Sequence, residues 1–364
     1  MISFHDVHKV YDDGTIAVNR LNLEVPQGTL TVFVGPSGCG KTTSMRMINR
    51  MAEPTSGNVV VNGADVATVD PVRLRLGIGY VIQGGGLMPH QRVIDNVATV
   101  PVLKGMSRRA ARKAAYAVLE RVGLSAKLAT RYPAQLSGGE QQRVGVARAL
   151  AADPPILLMD EPFSAVDPIV RHELQREILR LQAELRKTIV FVTHDIDEAV
   201  RLADRVAVFG PGGSLQQYEE PARLLSHPAN DFVARMIGAG RGYRWLQFLD
   251  ATQLPVHDLP RLTASEVAGA QLHDDWALVV KSDGTPLGWI DEAGVAQHRD
   301  GAPLPDSITS VGALFRPNGN LSQALDAALS SPAAMGVAVD KEGKVTGGVR
   351  AGDVLAALDS HRRH

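Results

Sequence analysis

Two kinds of hydrophobic spacing alternate along this chain. Short, wholly apolar runs recur at residues 30–34, 156–159 and 189–192, each of strand length. A strand with one wet face alternates, so uninterrupted runs predict parallel strands covered on both faces. The opening segment, residues 1–11, does alternate and predicts a first strand ending before Tyr11. Residues 79–82 predict a further strand, closed by Gln83. Helical stretches lie between these runs. Residues 42–49 and 140–152 each follow a glycine-rich segment, and residues 108–122 place Ala110, Ala114, Ala117, Val118 and Val122 near a helical period. Alternating strands and helices predict an α/β domain over residues 1–237.

The pattern changes beyond residue 237. Residues 238–260 carry Gly238, Gly240, Gly242, Pro255 and Pro260 and read as a linker. Residues 261–364 then contain a weak internal repeat, in which VVKSDGTPLGWI at 279–290 aligns with AVDKEGKVTGGV at 338–349, an offset of 59 residues. Each copy reads as strand, Asp-Gly or Glu-Gly turn, strand, then a short helix ending near Val295 or Val354. An amphipathic helix at 321–329 precedes the second copy. The ending, residues 361–364, reads as a solvated tail.

Composition narrows the function classes. At 364 residues, 45% of them hydrophobic, the chain has material for two or three domains with real cores. Its formal net charge of -1 gives no global electrostatic case for nucleic acid. The single cysteine, Cys39, lies inside a glycine-rich loop, which excludes a disulfide within the chain and suits a reducing cytosol. No apolar run reaches the about 18 residues a membrane span needs, and the N-terminus has no signal-peptide core. If the protein works at a membrane, a partner is expected to carry the spans.

Four motifs hold the chemistry. GPSGCGKTT at 35–43 fits G-x-x-x-x-G-K-[ST], with a strand before it and a helix after it. Gly35, Pro36, Ser37, Gly38, Cys39, Gly40 and Thr43 would cradle phosphate with backbone N–H groups at the positive end of that helix. Lys41 would reach the outer phosphates, and Thr42 would place its hydroxyl on Mg²⁺. A plain glycine-rich turn is the competing reading, and the flanking strand and helix weigh against it. Asp160 ends the run 156–159, where a carboxylate at the carboxyl end of a parallel strand faces the ligand crevice and suits Mg²⁺. Glu161 follows as candidate general base for an attacking water. His194, in VTHD at 192–195, is placed to bridge a γ-phosphate and Glu161, although a lone His at a strand end is more often structural. Gln83 is a candidate sensor of Mg²⁺ and water, and Tyr11 a candidate stacking surface for adenine. LSGGEQQR at 136–143 repeats the phosphate-loop logic, with Ser137, Gly138, Gly139 and Glu140 at a second helix N-terminus.

Taken together, these motifs resemble those of an ABC transporter ATPase subunit over residues 1–237. The resemblance implies a P-loop NTPase cassette, with a RecA-like core and a helical subdomain, that binds ATP and Mg²⁺. It makes residues 35–43 the Walker A loop, Gln83 the Q-loop, 137–140 the signature, Asp160 and Glu161 Walker B, 164–167 the D-loop and His194 the switch. It further implies a head-to-tail homodimer in which each signature caps the partner's ATP. One cassette, one cysteine and no fused spans argue against the soluble translation or repair classes and against exporter halves, which leaves an importer ATPase with separate permeases. QGGGLMPH at 83–90, VIDNVATVPVL at 93–103 and DFVARMIG at 231–238 resemble the quaternary-amine importers of glycine betaine, proline betaine, carnitine or choline. There, Leu87, Met88 and His90 belong to the groove for a permease helix. The expected place is the cytoplasmic face of the cell membrane, with a substrate-binding protein as an indirect partner. The alternatives are an importer ATPase for another small molecule, such as an amino acid, and a non-transport ABC ATPase.

The repeat at 261–364 resembles a small α+β tandem CBS module with a degenerate first copy. Such modules hold ribose with a hydroxyl residue and an Asp after the last strand. Here the Asp is present as Asp353 but the hydroxyl position is Arg350, and the first copy has Asp291 and Gly294. Adenosine binding of the ordinary kind is therefore not expected. The opposite charges of Asp291 and Arg350 point to regulation by dimer contacts, ionic strength or a cyclic dinucleotide, against a tail that only packs.

Overall fold

The apolar runs form the middle of a six-stranded sheet, in the order Leu215–Glu219, Arg205–Phe209, Leu30–Val34, Thr188–Thr193, Ile156–Asp160, Ile78–Val81. Only the outer pair Leu215–Glu219 and Arg205–Phe209 is antiparallel. All other neighbours are parallel. Leu30–Val34, Ile156–Asp160 and Thr188–Thr193 are buried at every position, as expected of strands covered on both faces. The computed structural model describes residues 1–164 and 166–362, and residue 165, within the expected D-loop, and residues 363–364 of the expected solvated tail lie outside the described residues. The chain divides into two units, Met1–Ala239 and Gly240–His364.

In the first unit a four-stranded antiparallel sheet, ordered Ile16–Val25, Ile2–Val10, Ser56–Val61, Ala64–Asp65, faces the parallel one. Helix Lys41–Ile48 buries Met45, Met47 and Ile48 in the core that both sheets share. A helical part follows, with helices Val93–Leu103, Arg108–Arg121 and Gly138–Leu150. Helix Arg108–Arg121 meets the expected stripe only at its end, where Val118 is half-buried and Val122 buried. Ala111, Ala115 and Leu119 are buried, while Ala110, Ala114 and Ala117 are exposed. Adjacent alanines at 110–111 and 114–115 allow two stripes, and Leu119, the larger side chain, decides between them.

The second unit contains two three-stranded sheets with one shared plan. Arg261–Thr263 runs parallel to Ala277–Val280, which pairs antiparallel with Pro286–Ile290. Leu314–Phe315 runs parallel to Met335–Val339, which pairs antiparallel with Val345–Arg350. The hairpin registers coincide at the 59-residue offset. Val279 faces Gly288 as Ala338 faces Gly347, and both ladders shift at the next pair. The copies differ before their second strand, where the second has helix Leu321–Ser330 and the first only the short turn Val267–Gly269. The closing helices, Glu292–Arg299 and Ala351–Arg362, run past Val295 and Val354.

Residues 240–260 are not a free connector. They hold helix Arg241–Trp245 and place Leu246, Leu249, Leu254 and Leu259 in the cores of the second unit. Gly240 caps that helix in a left-handed conformation, and Gly242 lies within it.

Trp289 is buried, with its indole N–H 3.3 Å from the Val311 carbonyl. Trp289→Ala should cost the second unit about 3–5 kcal/mol. Hydrogen exchange checks this, through lost amide protection in strands Ala277–Val280 and Pro286–Ile290.

Candidate active site

Register places the chemistry. Val34 pairs with Thr193, Asp160 with Val192 and Val81 with Met159, so four parallel strands end side by side. Each then releases a candidate residue: the phosphate loop after Val34, His194 after Thr193, Glu161 after Asp160 and Gln83 just beyond Val81.

The phosphate loop turns into helix Lys41–Ile48 through Gly40, which has φ +87°. A Cβ there would strike the carbonyl of Ala17, so only glycine fits. Lys41 is buried, and its Nζ donates to the carbonyls of Gly35 and Pro36, each at 2.8 Å, and lies 3.6 Å from Cys39 Sγ. Among the described residues Lys41 makes no ion pair, so its charge is available to an anion in the loop. Burial pushes the Cys39 thiol up against the smaller opposing pull of Lys41. Cys39 thus stays a thiol and contributes backbone rather than a thiolate. Tyr11, half exposed after the first strand, has its hydroxyl 3.3 Å from Thr43 Oγ1 and its ring beneath Lys9 Nζ.

The Thr42 hydroxyl donates to Asp160 Oδ1 at 2.9 Å, and Asp160 is buried. Two residues that sequence reasoning missed complete this corner. The Tyr80 hydroxyl lies 3.4 Å from Asp160 Oδ2, and Arg46 lies 3.9 Å from the same atom. The available signal was spacing, since Arg46 is one helical turn after Thr42.

Glu161 breaks the strand. It takes a left-handed backbone at φ +42°, rare for a non-glycine residue, and its N–H donates to the Val192 carbonyl at 3.0 Å. This bend brings the Glu161 carboxylate to Gln83 Nε2 at 3.3 Å and to His194 Nδ1 at 3.4 Å. The expected trio of base, sensor and switch therefore meets at one carboxylate. Gln83 touches Glu161 rather than Asp160.

Behind His194 lies a buried carboxylate absent from the sequence reading. Thr193 Oγ1 donates to Glu198 Oε2 at 2.7 Å, Gln175 Nε2 to Glu198 Oε1 at 3.4 Å, and Arg171 Nε stands 3.9 Å away. Asp195 caps helix Ile196–Leu202. Its D-x-x-E pattern reads as capping, which hid the separate role of Glu198.

The signature stands apart. Ser137 caps helix Gly138–Leu150, with Glu140 N–H donating to Ser137 Oγ at 3.3 Å and Ser137 N–H to Glu140 Oε2 at 2.8 Å. Ser137 and Gly138 are exposed. Among the described residues, no hydrogen bond or ion pair joins residues 137–140 to the phosphate loop or to Glu161. Glu140, expected among the nucleotide residues, uses its carboxylate to close the cap, where a negative charge suits the helix N-terminus.

Known proteins resemble this chain in sequence and fold. A family model described as ABC transporter matches residues 18–164. The chain is 42% identical over 315 residues to the glycine betaine/carnitine/choline transport ATP-binding protein OpuCA of Bacillus subtilis, covering 85% of this chain and 83% of that one. It is 41% identical over 359 residues to the osmoprotectant import ATP-binding protein OsmV of Salmonella typhimurium, covering 95% of this chain and 92% of that one. The chain belongs to the ABC transporter ATP-binding proteins. Among solved structures, the dimeric, ADP- and Pi-bound ATP-binding cassette MJ0796 is similar with a TM-score of 0.56 and 33% identity, covering 61% of this chain and 99% of that one. The fold is an ABC cassette followed by an additional C-terminal region, and as an ABC transporter ATPase the chain binds ATP and couples its hydrolysis to transport. Among the described residues no helix is long and apolar enough to cross a membrane.

Burial holds the Glu198 carboxyl above its ordinary 4.5, opposed by the hydrogen bond from Thr193. The folded state therefore binds this proton more tightly than the unfolded chain, so the stabilising contribution is complete below about 4.5 and is lost as pH rises through the folded value. Glu198→Gln lacks that loss, and its stability relative to the native chain should rise from acid to neutral pH. Paired urea titrations at the two pH values test the sign.

Proposed function

We propose that this chain is the ATPase of an importer of quaternary-amine osmoprotectants such as glycine betaine, carnitine or choline. It works as a head-to-tail homodimer at the cytoplasmic face of the membrane, beneath separate permease subunits, with a substrate-binding protein feeding the permease. The cargo reading rests on the likeness to OpuCA and OsmV, which extends through both units. The dimer reading rests on one observation: among the described residues, no hydrogen bond or ion pair joins the capped signature to the phosphate loop. A C₂ pair completes both with one kind of subunit.

The roles follow the geometry. Residues 35–43 bind the phosphates, with Lys41 on the outer ones and Tyr11 beside the adenine. Ser137, Gly138 and Gly139 cap the partner's ATP, with the Glu140 cap fixing their helix end. Thr42 and Asp160 supply hard oxygen donors 2.9 Å apart, a donor set that suits Mg²⁺. Gln83 reports on that centre. When bound, the ion would supply charge neutralisation to the phosphates. Glu161 takes the proton of the attacking water, Gln83 and His194 hold its carboxylate in position, and His194 reaches the γ-phosphate.

The permease is proposed to dock beside Gln83. A cleft of about 430 Å³ lies there, lined by Met51, Val72, Ile82 and Leu103, and a second of about 440 Å³ shares Leu103 and adds His90 and Arg92. Leu87 and Met88 lie half-buried between Gln83 and His90.

The second unit is read as a tandem CBS-like regulatory module, supported by its two matching ladders. Its ribose position is altered further than the sequence implied. Asp353 is 2.7 Å from His257 Nε2, and Asp291 caps its own helix by accepting from Gly294 N–H at 2.8 Å. This favours regulation through paired tails or ionic strength over adenosine binding.

Glu161→Gln should bind ATP and dimerise without turnover, since only the base is lost; native turnover in that variant would remove Glu161 from its role. A mixed dimer of Ser137→Arg with Lys41→Ala should keep one intact composite site and hydrolyse ATP, and an inactive mixture would argue against head-to-tail pairing. Uptake of labelled betaine at high salt, with and without this subunit, tests the cargo. Equal salt dependence with and without the second unit would overturn its regulatory reading.

A further inference from the structure

The corner around Asp160 holds a cation that the proposed roles leave unused. Helix Lys41–Ile48 buries Ser44, Met45, Met47 and Ile48, and Arg46 is the exposed residue among them. It stands one turn after Thr42, on the same face of the helix. The Thr42 hydroxyl donates to one Asp160 oxygen, Oδ1, at 2.9 Å. Arg46 Nη2 stands 3.9 Å from the other, Oδ2, and the Tyr80 hydroxyl donates to that same Oδ2 at 3.4 Å. Tyr80 serves both members of the pair. Its hydroxyl beside the guanidinium holds the Arg46 pKa above the usual arginine value, against partial burial.

The two members differ in freedom. The Asp160 side chain is 6% exposed and ends a strand buried at every position, whereas the Arg46 side chain is 51% exposed. A buried carboxylate is costly without a countercharge. Lys41, the other cation of this helix, gives its ammonium to the carbonyls of Gly35 and Pro36. Among the described residues, Arg46 is the one cation ion-paired with Asp160. That carboxylate is also half of the donor set read above as suited to Mg²⁺. A divalent ion on it and a guanidinium 3.9 Å from it would repel each other. Of the pair, Arg46 is the member able to give way to solvent. A cation in the last turn also suits the helix dipole. The dipole asks for no particular partner, however, and gives no reason for one tyrosine hydroxyl to serve both Arg46 and Asp160.

We propose that Arg46 is a positioning residue that neutralises Asp160 whenever the metal is away, and that its charge keeps a divalent ion from binding there without the phosphates of ATP. The proposal rests on the Mg²⁺ reading given above. With nucleotide in the loop, the phosphates add negative charge that outweighs one guanidinium, so Arg46 turns to solvent and frees Asp160. Arg46 thereby ties metal binding to nucleotide binding, and the chain takes the ion as its ATP complex.

The test uses the full-length chain and Mn²⁺ as the metal, with binding read by electron paramagnetic resonance. Without nucleotide, Arg46→Gln should bind Mn²⁺ about tenfold more tightly than the native chain, and Arg46→Lys, which restores the charge, should stay within about twofold of native. With ATP present, Arg46→Gln and the native chain should differ by less than about twofold. Adding Asp160→Asn to Arg46→Gln should abolish the nucleotide-free gain. Asp160→Asn alone should weaken Mn²⁺ binding in the presence of ATP, and indifference to that change overturns the metal reading and this proposal with it. Where the metal reading stands, an Arg46→Gln chain that binds nucleotide-free Mn²⁺ no more tightly than native overturns the proposal alone. So does a gain that survives Asp160→Asn, that Arg46→Lys shows equally, or that is as large with ATP as without it.

Discussion

The candidate nucleotide site depends on the register of one parallel sheet. Four strands ending side by side set the phosphate loop, Asp160, Glu161, His194 and Gln83 along one edge. A slip of one residue turns every side chain to the opposite face, so the ladder that holds the core also holds the chemistry. The left-handed Glu161 shows this most directly. Its N–H bond to the Val192 carbonyl is a bond to the neighbouring strand, and that bond aims the carboxylate at Gln83 and His194. Strain at Glu161 is therefore borne by the sheet.

What sequence made legible follows from the same physics. Strands buried on both faces cannot alternate, so their apolar runs stand out, and the residues just past them are the crevice residues of an open α/β sheet. Tyr80, Arg46, Glu198 and Arg148 were not legible. Tyr80 and Arg46 meet Asp160 far away in the chain, Glu198 meets Thr193 and Gln175 across the start of its helix, and Arg148 donates to the carbonyls of Gly85 and Gly86, which have no residue type to read. Helix Arg108–Arg121 was legible as a helix but not as a face, because alanine pairs mark two stripes equally well. At 240–260, counting Gly and Pro obscured four buried leucines, which are the residues that tie the segment into the second unit.

The second unit separates two things that a sequence repeat runs together. The backbone ladder survives in both copies, down to the position of its register shift. The side chains at the equivalent site positions have diverged, with Asp353 joined to His257 and Asp291 turned to capping. A ladder uses main-chain groups and tolerates such exchange, whereas ribose recognition needs particular oxygens free to accept. Likeness of fold in this unit is therefore weak grounds for likeness of ligand.

The cassette makes the opposite case, because there geometry and chemistry are kept together. The Ser137–Glu140 capping box holds the signature as an exposed helix end, and the loop around Lys41 turns through Gly40, where a Cβ would strike the Ala17 carbonyl. These bonds and this close approach hold both proposed half-sites in shape, which limits the ordering that joining them would require. Under the proposed pairing, most of the free energy of ATP binding is then available to bring two chains together. Under the same pairing, hydrolysis would alter the ligand that both chains share; Gln83, which opens the 84–86 turn, touches the Glu161 carboxylate, and Gly85 lies against the signature helix at Gly145.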